Sequence, residues 1–201
     1  MTLSLTRIYR LLQTWLPLAI VFAAGAYLRL YRIGELPPGL YRDEGFYGLD
    51  ALRILRGEFH LYFAANNGRE GLFMYLLALG VGLFGRTPEA LRIVSACVGI
   101  ATVIVIYFAG RNLFSHRIGV LSAGILAITF WHVAISRVAF RAITLPLLLC
   151  VFVALAAYAF KGQISEGRRT IASFLCGITF GLTFYTYTSG QFICGWCWWS
   201  G

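Results

Sequence analysis

Long apolar runs joined by short basic connections constrain this chain more than any other feature. Several of them approach the roughly 20 residues that an α-helix needs to cross a bilayer. The chain is 59% hydrophobic and only 12% charged, whereas soluble domains carry about 25% charged residues. The pattern therefore predicts an all-α polytopic membrane protein rather than a soluble domain.

The apolar runs predict about five transmembrane helices, at residues 14–31, 90–110, 118–136, 142–160 and 170–190. Arg7 and Arg10 precede the first run, and basic residues also lie between the second and third runs and between the fourth and fifth. Because cytoplasmic loops are rich in Arg and Lys, we expect a cytoplasmic N-terminus in a plasma (inner) membrane protein. Residues 32–88 then form the first extracytoplasmic loop.

The net charge of +9 would suggest nucleic acid as the partner of a soluble chain. Here the basic residues lie between and beside apolar runs, where they set topology and meet lipid headgroups or anionic substrates. The charge pattern therefore predicts membrane lipids as partners and no nucleic acid.

The first extracytoplasmic loop contains two predicted short helices. Residues 45–56 place apolar side chains at every third position and charges on another face, which is typical of a helix that lies along the membrane interface. Residues 72–84 are apolar but too short for a span. Seven of the eight acidic residues lie in this loop or at its edge, so the loop is the first place to look for chemistry.

Asp43 and Glu44 follow a Pro37-Pro38-Gly39 turn just outside an apolar segment. One interpretation is that they are solvated acids that cap the helix beginning near Gly45. The other is a catalytic pair in which a carboxylate at the membrane face takes a proton from an acceptor hydroxyl.

Arg137 and Arg141 are four residues apart in an otherwise apolar segment on the same predicted side as Asp43. They either extend to lipid headgroups at a helix end or bind the phosphate of a lipid substrate through the planar guanidinium. Arg69 and Glu70 form either a surface ion pair or part of the substrate site.

No metal site is evident, because His60, His116 and His132 do not cluster with acids at ligand spacing. The sequence indicates no cofactor and leaves open a divalent ion near Glu70.

Several segments together resemble the C-type polyprenyl-phosphate-dependent glycosyltransferases. The similarity is to bacterial dolichyl-phosphate-mannose protein mannosyltransferase-like proteins, which include the lipid A aminoarabinose transferases. It is carried by Tyr41-Arg-Asp-Glu-Gly-Phe-Tyr-Gly-Leu-Asp-Ala51, Gly68-Arg-Glu-Gly-Leu-Phe-Met-Tyr75, Leu83-Phe-Gly-Arg-Thr-Pro-Glu-Ala-Leu-Arg92 and the turn from Ser136 to Arg141.

The resemblance implies a helical membrane bundle that moves a sugar from a polyprenyl-phosphate donor to a lipid or protein acceptor outside the membrane. It implies that Asp43 is the general base of an inverting transfer, with Glu44 beside it. It also implies that Arg137 or Arg141 lies near the phosphate. The family runs to more spans, so we expect residues 1–201 to be the N-terminal part of a membrane glycosyltransferase domain.

Two other hypotheses stay open at this point. The chain could be a non-catalytic membrane protein such as a transporter-like subunit or a scaffold, although transporters place ionisable residues in mid-span. It could also be an inactive, truncated member of the same family.

Overall fold

The computed structural model describes residues 5–64, 68–161 and 164–187. It is 76% helical. Its helices are α1 (Leu5–Leu30), α2 (Arg42–Leu55), α3 (Gly71–Phe84), α4 (Pro88–Leu113), α5 (His116–Ile128), α6 (Phe130–Arg137), α7 (Thr144–Ala159) and α8 (Glu166–Thr183).

Two of these helices are long and apolar enough to cross a membrane, namely α4 and the segment Arg141–Ala159. Helices α5 and α6 together pass the same test as one span bent by 59°. Trp15–Leu30 and α3 are shorter apolar helices. The prediction of an all-α membrane protein is thus confirmed in class, with two or three candidate spans among the described residues.

The predicted five spans remain a prediction. The predicted first span corresponds to the apolar part of α1, and the predicted fifth span corresponds mainly to α8, which ends at Thr183. Residues 188–190 of that fifth span lie outside the described residues. Helices α2 and α3 occupy the two segments where the sequence predicts short helices.

Helix α4 lies at the centre of the bundle and packs against α1, α3, α5, α6 and α7. At its start the Thr87 hydroxyl accepts a hydrogen bond from the Ala90 N–H at 3.3 Å, and Pro88 opens the first turn. One cluster of buried side chains joins α2, α3 and α4, and a second joins α1, α4 and α5. The first cluster supports the end of the bundle where the acidic residues gather.

The span predicted at residues 118–136 is broken at Thr129, whose backbone is extended (φ −60°, ψ 116°). Arg29 of α1 is fully buried at this break. Its guanidinium donates to the carbonyls of Ala127 at 3.0 Å and Leu126 at 3.3 Å, and lies 2.8 Å from His132 Nδ1. A charged side chain from another helix therefore satisfies the carbonyls left at the end of α5.

A two-stranded antiparallel ribbon precedes α3. Strands β1 (Tyr62–Phe63) and β2 (Arg69–Glu70) pair Tyr62 with Glu70 and Phe63 with Arg69. The ribbon fixes Arg69 and Glu70 directly before α3, beside the start of α2.

Candidate active site

Each carboxylate oxygen of Glu44 accepts two hydrogen bonds, and only 1% of the residue is exposed. Its Oε1 accepts hydrogen bonds from Arg92 Nε at 3.1 Å and from the Ala139 backbone N–H at 3.0 Å. Its Oε2 accepts from Arg92 Nη2 at 3.2 Å and from the Tyr41 backbone N–H at 2.9 Å. Donors from three separate segments therefore fix the start of α2 against α4.

Arg92 also fastens the loop that leads into α2. Its Nη1 donates to the carbonyls of Pro37 at 2.9 Å and Ile33 at 3.3 Å, and its Nη2 donates to the carbonyl of Gly39. Gly39 has φ +78°, a left-handed conformation that glycine adopts without a steric cost. The buried guanidinium thus neutralises Glu44 and organises the turn in front of it.

Asp43 lies one residue before Glu44, in the first turn of α2, where the helix dipole favours a carboxylate. It is partly exposed, in contrast to Glu44. Because Glu44 and Arg92 hold this turn, the position of Asp43 is fixed while the residue stays partly exposed.

The phenol of Tyr47 lies one helical turn after Asp43, on the same face of α2. Burial, followed by the negative charge of Asp43, raises the pKa of Tyr47 to about 12, and the charges of Arg141 and Arg69 oppose this rise. Asp43 precedes this phenol by one turn of α2, the Arg69 guanidinium carbon lies 5.1 Å from its ring centre, and the charge of Arg141 acts on it. These side chains are the charged group of the candidate site.

Arg141 is held from one side only. Its Nη1 donates to Glu70 Oε2 at 2.6 Å and to the Gly68 carbonyl at 3.3 Å, and its guanidinium carbon lies 5.1 Å from the centre of the Tyr187 ring. Among the described residues, its Nε and Nη2 donate no hydrogen bond. One edge of the guanidinium is thus positioned by protein contacts, and the other edge makes no hydrogen bond within the described residues.

Arg69 is the buried member of the charged group. Only 1% of it is exposed, and its Nη2 lies 3.0 Å from Asp50 Oδ2. Its guanidinium carbon lies 5.1 Å from the centre of the Tyr47 ring and 5.6 Å from that of Phe46. Burial raises the pKa of the Asp50 carboxyl, and the nearby Arg69 and Arg53 charges oppose that rise.

Arg137 does not belong to this group. Its Nη1 donates to the Leu28 carbonyl at 2.8 Å, and its Nη2 donates to the carbonyls of Tyr31 at 2.7 Å and Leu36 at 3.0 Å. These contacts satisfy carbonyls at the end of α1 and join that end to α6.

An apolar cleft of about 570 Å³ lies next to the Glu44 turn, between α6 and the loop before α2. Its walls include Tyr41, Glu44, Phe130, Trp131, Arg137 and Phe140. Within the described ranges, no three His, Cys, Asp or Glu side chains are grouped as a metal site requires.

Comparison with known protein families finds a match. The family model described as dolichyl-phosphate-mannose-protein mannosyltransferase matches residues 72–194, more than half of the chain. The chain belongs to this family. No curated protein and no solved structure matches the chain.

Membership in the mannosyltransferase family confirms the predicted resemblance and assigns the chain to the glycosyltransferases as a general class. The matched range contains Arg92, Arg137 and Arg141, whereas Asp43 and Glu44 precede it. The pairing of Glu44 with Arg92 nevertheless connects the acidic turn to the matched part of the family fold.

Sequence reasoning missed three residues of the site, namely Tyr47, Arg92 and Tyr187. Arg92 carried a usable signal, because an ionisable residue inside a predicted span calls for a named partner. Tyr187 lies among other aromatic residues, a pattern that favours an aromatic belt at the membrane interface. Tyr47 had no distinguishing signal, since its role depends on groups that approach from other segments.

Proposed function

We propose that the chain is an inverting glycosyltransferase that uses a polyprenyl-phosphate sugar and acts on the extracytoplasmic side of the plasma (inner) membrane. The acceptor is a hydroxyl or amine of a lipid or protein. The observation that carries the proposal is the buried Glu44–Arg92 ion pair, which holds the turn that bears the partly exposed Asp43.

Asp43 is the general base of this proposal. It receives the acceptor proton while the acceptor oxygen or nitrogen forms a bond to the anomeric carbon. The bond from that carbon to the phosphate oxygen breaks on the opposite face, and its electron pair leaves with the phosphate. One attack of this kind inverts the anomeric configuration, and Asp43 afterwards returns its proton to water.

Arg141 binds the leaving phosphate through Nε and Nη2, the edge that makes no hydrogen bond within the described residues. Guanidinium and phosphate match in a two-point geometry. Glu70 holds the opposite edge, so the cation is oriented before the donor arrives. A positive charge that is already in position where negative charge develops in the transition state contributes strongly to catalysis.

Glu44 and Arg69 act as positioning residues in this account, because both are buried and engaged by neighbouring groups. Arg137 positions the end of α1 and borders the apolar cleft, which has the lining needed to hold part of an isoprenoid chain. The N-terminus lies in the cytoplasm, and the loop at residues 32–88 faces outside.

The proposal is tested with membranes that contain the chain, incubated with radiolabelled polyprenyl-phosphate sugars or with the corresponding nucleotide sugars. We expect label to enter the lipid or protein fraction only from the polyprenyl-phosphate donors, with inverted anomeric configuration in the product. Transfer that uses nucleotide sugars directly, or retention of configuration, would contradict the proposal.

A further inference from the structure

The end of the bundle opposite Asp43 is strongly basic. Arg92 and Arg111 lie on α4, and 19 helical steps place them about 28 Å apart. The α4–α5 and α7–α8 connections and adjoining turns carry five cations and one acid, Glu166; the cations are Arg111, Arg117, Lys161, Arg168 and Arg169. Within the described part of the chain, none of the five forms an ion pair.

Two apolar clefts open at this basic end. One, of about 360 Å³, lies between α4 and α7 and is lined by Leu113, Phe152 and Val153, with Lys161 at its rim. The other, of about 400 Å³, lies between α7 and α8 and has Arg169 in its lining. Each cleft therefore combines an apolar wall with a cation.

A single ridge separates the two clefts. Ala156 and Phe160 are one turn apart on α7 and its cap, and both residues line both clefts. Phe160 is 89% exposed. An exposed aromatic side chain therefore borders both apolar clefts.

Lys161 is positioned rather than free to extend. Its Nζ donates to Asn112 Oδ1 at 2.9 Å, and Asn112 Nδ2 donates to the Ala154 carbonyl at 3.4 Å. An ammonium group has three donors, so two of them remain for another acceptor. Asn112 thus keeps the cation at the rim of the α4–α7 cleft.

We propose that this surface binds one anionic diacyl phospholipid. Its headgroup phosphate lies between Lys161 and Arg169, and its two acyl chains lie in the clefts on either side of Phe160. The charge of the surface excludes neutral lipids as preferred ligands, because basic pockets between helices on the cytoplasmic side bind anionic headgroups. This site is separate from the proposed transfer reaction.

The purified full chain is delipidated in a non-ionic detergent and titrated with phosphatidylglycerol or phosphatidylcholine, and bound lipid is counted by native mass spectrometry. We expect one tightly bound phosphatidylglycerol and weaker binding of phosphatidylcholine. The double variant Lys161→Gln/Arg169→Gln should bind phosphatidylglycerol about thirtyfold more weakly.

The matched control is Arg117→Gln/Arg168→Gln, which removes the same charge from the same end without altering a residue that lines either cleft. We expect it to bind as the wild type does, with both double variants folded by circular dichroism. Equal binding of the two lipids, equal losses in both double variants, or competition by inorganic phosphate as effective as that by phosphatidylglycerol would each overturn the proposal.

Discussion

Glu44 Oε1 and Arg92 Nε lie 3.1 Å apart in the interior of the protein, although 48 positions separate the two residues in sequence. The same carboxylate accepts the backbone N–H groups of Tyr41 and Ala139. The pair is therefore a junction of the loop before α2, the start of α4 and the turn after α6. Asp43 owes its position to that junction.

Glu44→Ala should destabilise the protein by about 3–5 kcal/mol, because it leaves a buried arginine without its counter-charge. Glu35→Ala is the matched control, since the Arg32–Glu35 pair is exposed and such pairs contribute about 0–1 kcal/mol. Chemical unfolding of both variants in detergent measures the difference. Equal losses of stability would show that burial of the Glu44 pair is not what matters.

Arg141→Ala should lower kcat by about 10²–10³-fold, the usual effect of removing one group that stabilises transition-state charge. Arg141→Lys should recover the contact with Glu70 and only part of the rate, because an ammonium cannot reproduce the planar fork. Steady-state transfer with varied donor concentration measures both. A normal rate in Arg141→Ala would remove this residue from the phosphate site.

Arg137→Ala should act on stability, because the Arg137 guanidinium bonds only to backbone carbonyls among the described residues. We expect a lower unfolding temperature and an unchanged KM for the donor in the fraction that stays folded. A raised donor KM with an unchanged unfolding temperature would instead place Arg137 at the phosphate.

Tyr47→Phe tests the charged group through its pH dependence. The pKa of Tyr47 is raised from 10.0 to about 12, so the folded protein holds the phenol proton more tightly than the unfolded chain does. That contribution to stability is complete below pH 10 and is lost as the pH rises to about 12, an effect on the order of 2 kcal/mol.

The measurement compares unfolding of wild type and Tyr47→Phe at about pH 9 and about pH 11. The difference in stability between the two proteins should shrink or reverse at the higher pH in favour of the variant. Tyr62→Phe, at an exposed position, should follow the wild type. A Tyr47→Phe variant with the wild-type pH dependence would show that the phenol is not buried among these groups.

Two glycines provide a test of the packing between spans. A Cβ on Gly99 of α4 would overlap Ser136 Oγ, whereas a Cβ on Gly124 of α5 would lie 3.6 Å from Val21 Cγ2, an ordinary contact. Gly99→Ala should therefore cost about 1–3 kcal/mol, and Gly124→Ala should be neutral or stabilising. Similar unfolding temperatures for the two variants would contradict the close approach of α4 and α6.

The sequence predicts the helical class and the two short helices before α4, because apolar periodicity and length are local properties. The break at Thr129 was not predictable in this way. No Gly or Pro lies at residues 127–131, and the carbonyls at the break are satisfied by Arg29 from a distant helix. Tertiary contacts override the local pattern there.

Only part of the candidate site could be predicted from the sequence. The side of the membrane assigned to Asp43 and Arg141 followed from the order of the apolar runs, and the charges of both residues act on the Tyr47 phenol. The family resemblance implied the division between Asp43 and Glu44, whereas residue patterns alone could not derive it. It depends on Arg92, whose guanidinium engages Glu44 and leaves Asp43 partly exposed.

We propose that Asp43 performs the chemistry while Glu44 and Arg92 hold it in place. The most direct measurement is the rate of sugar transfer from a polyprenyl-phosphate donor by Asp43→Asn, with unfolding temperature and donor binding measured on the same sample. We predict a loss of about 10²–10⁴-fold in rate, with stability and donor binding like the wild type. Transfer at the wild-type rate by the folded Asp43→Asn variant would contradict the account.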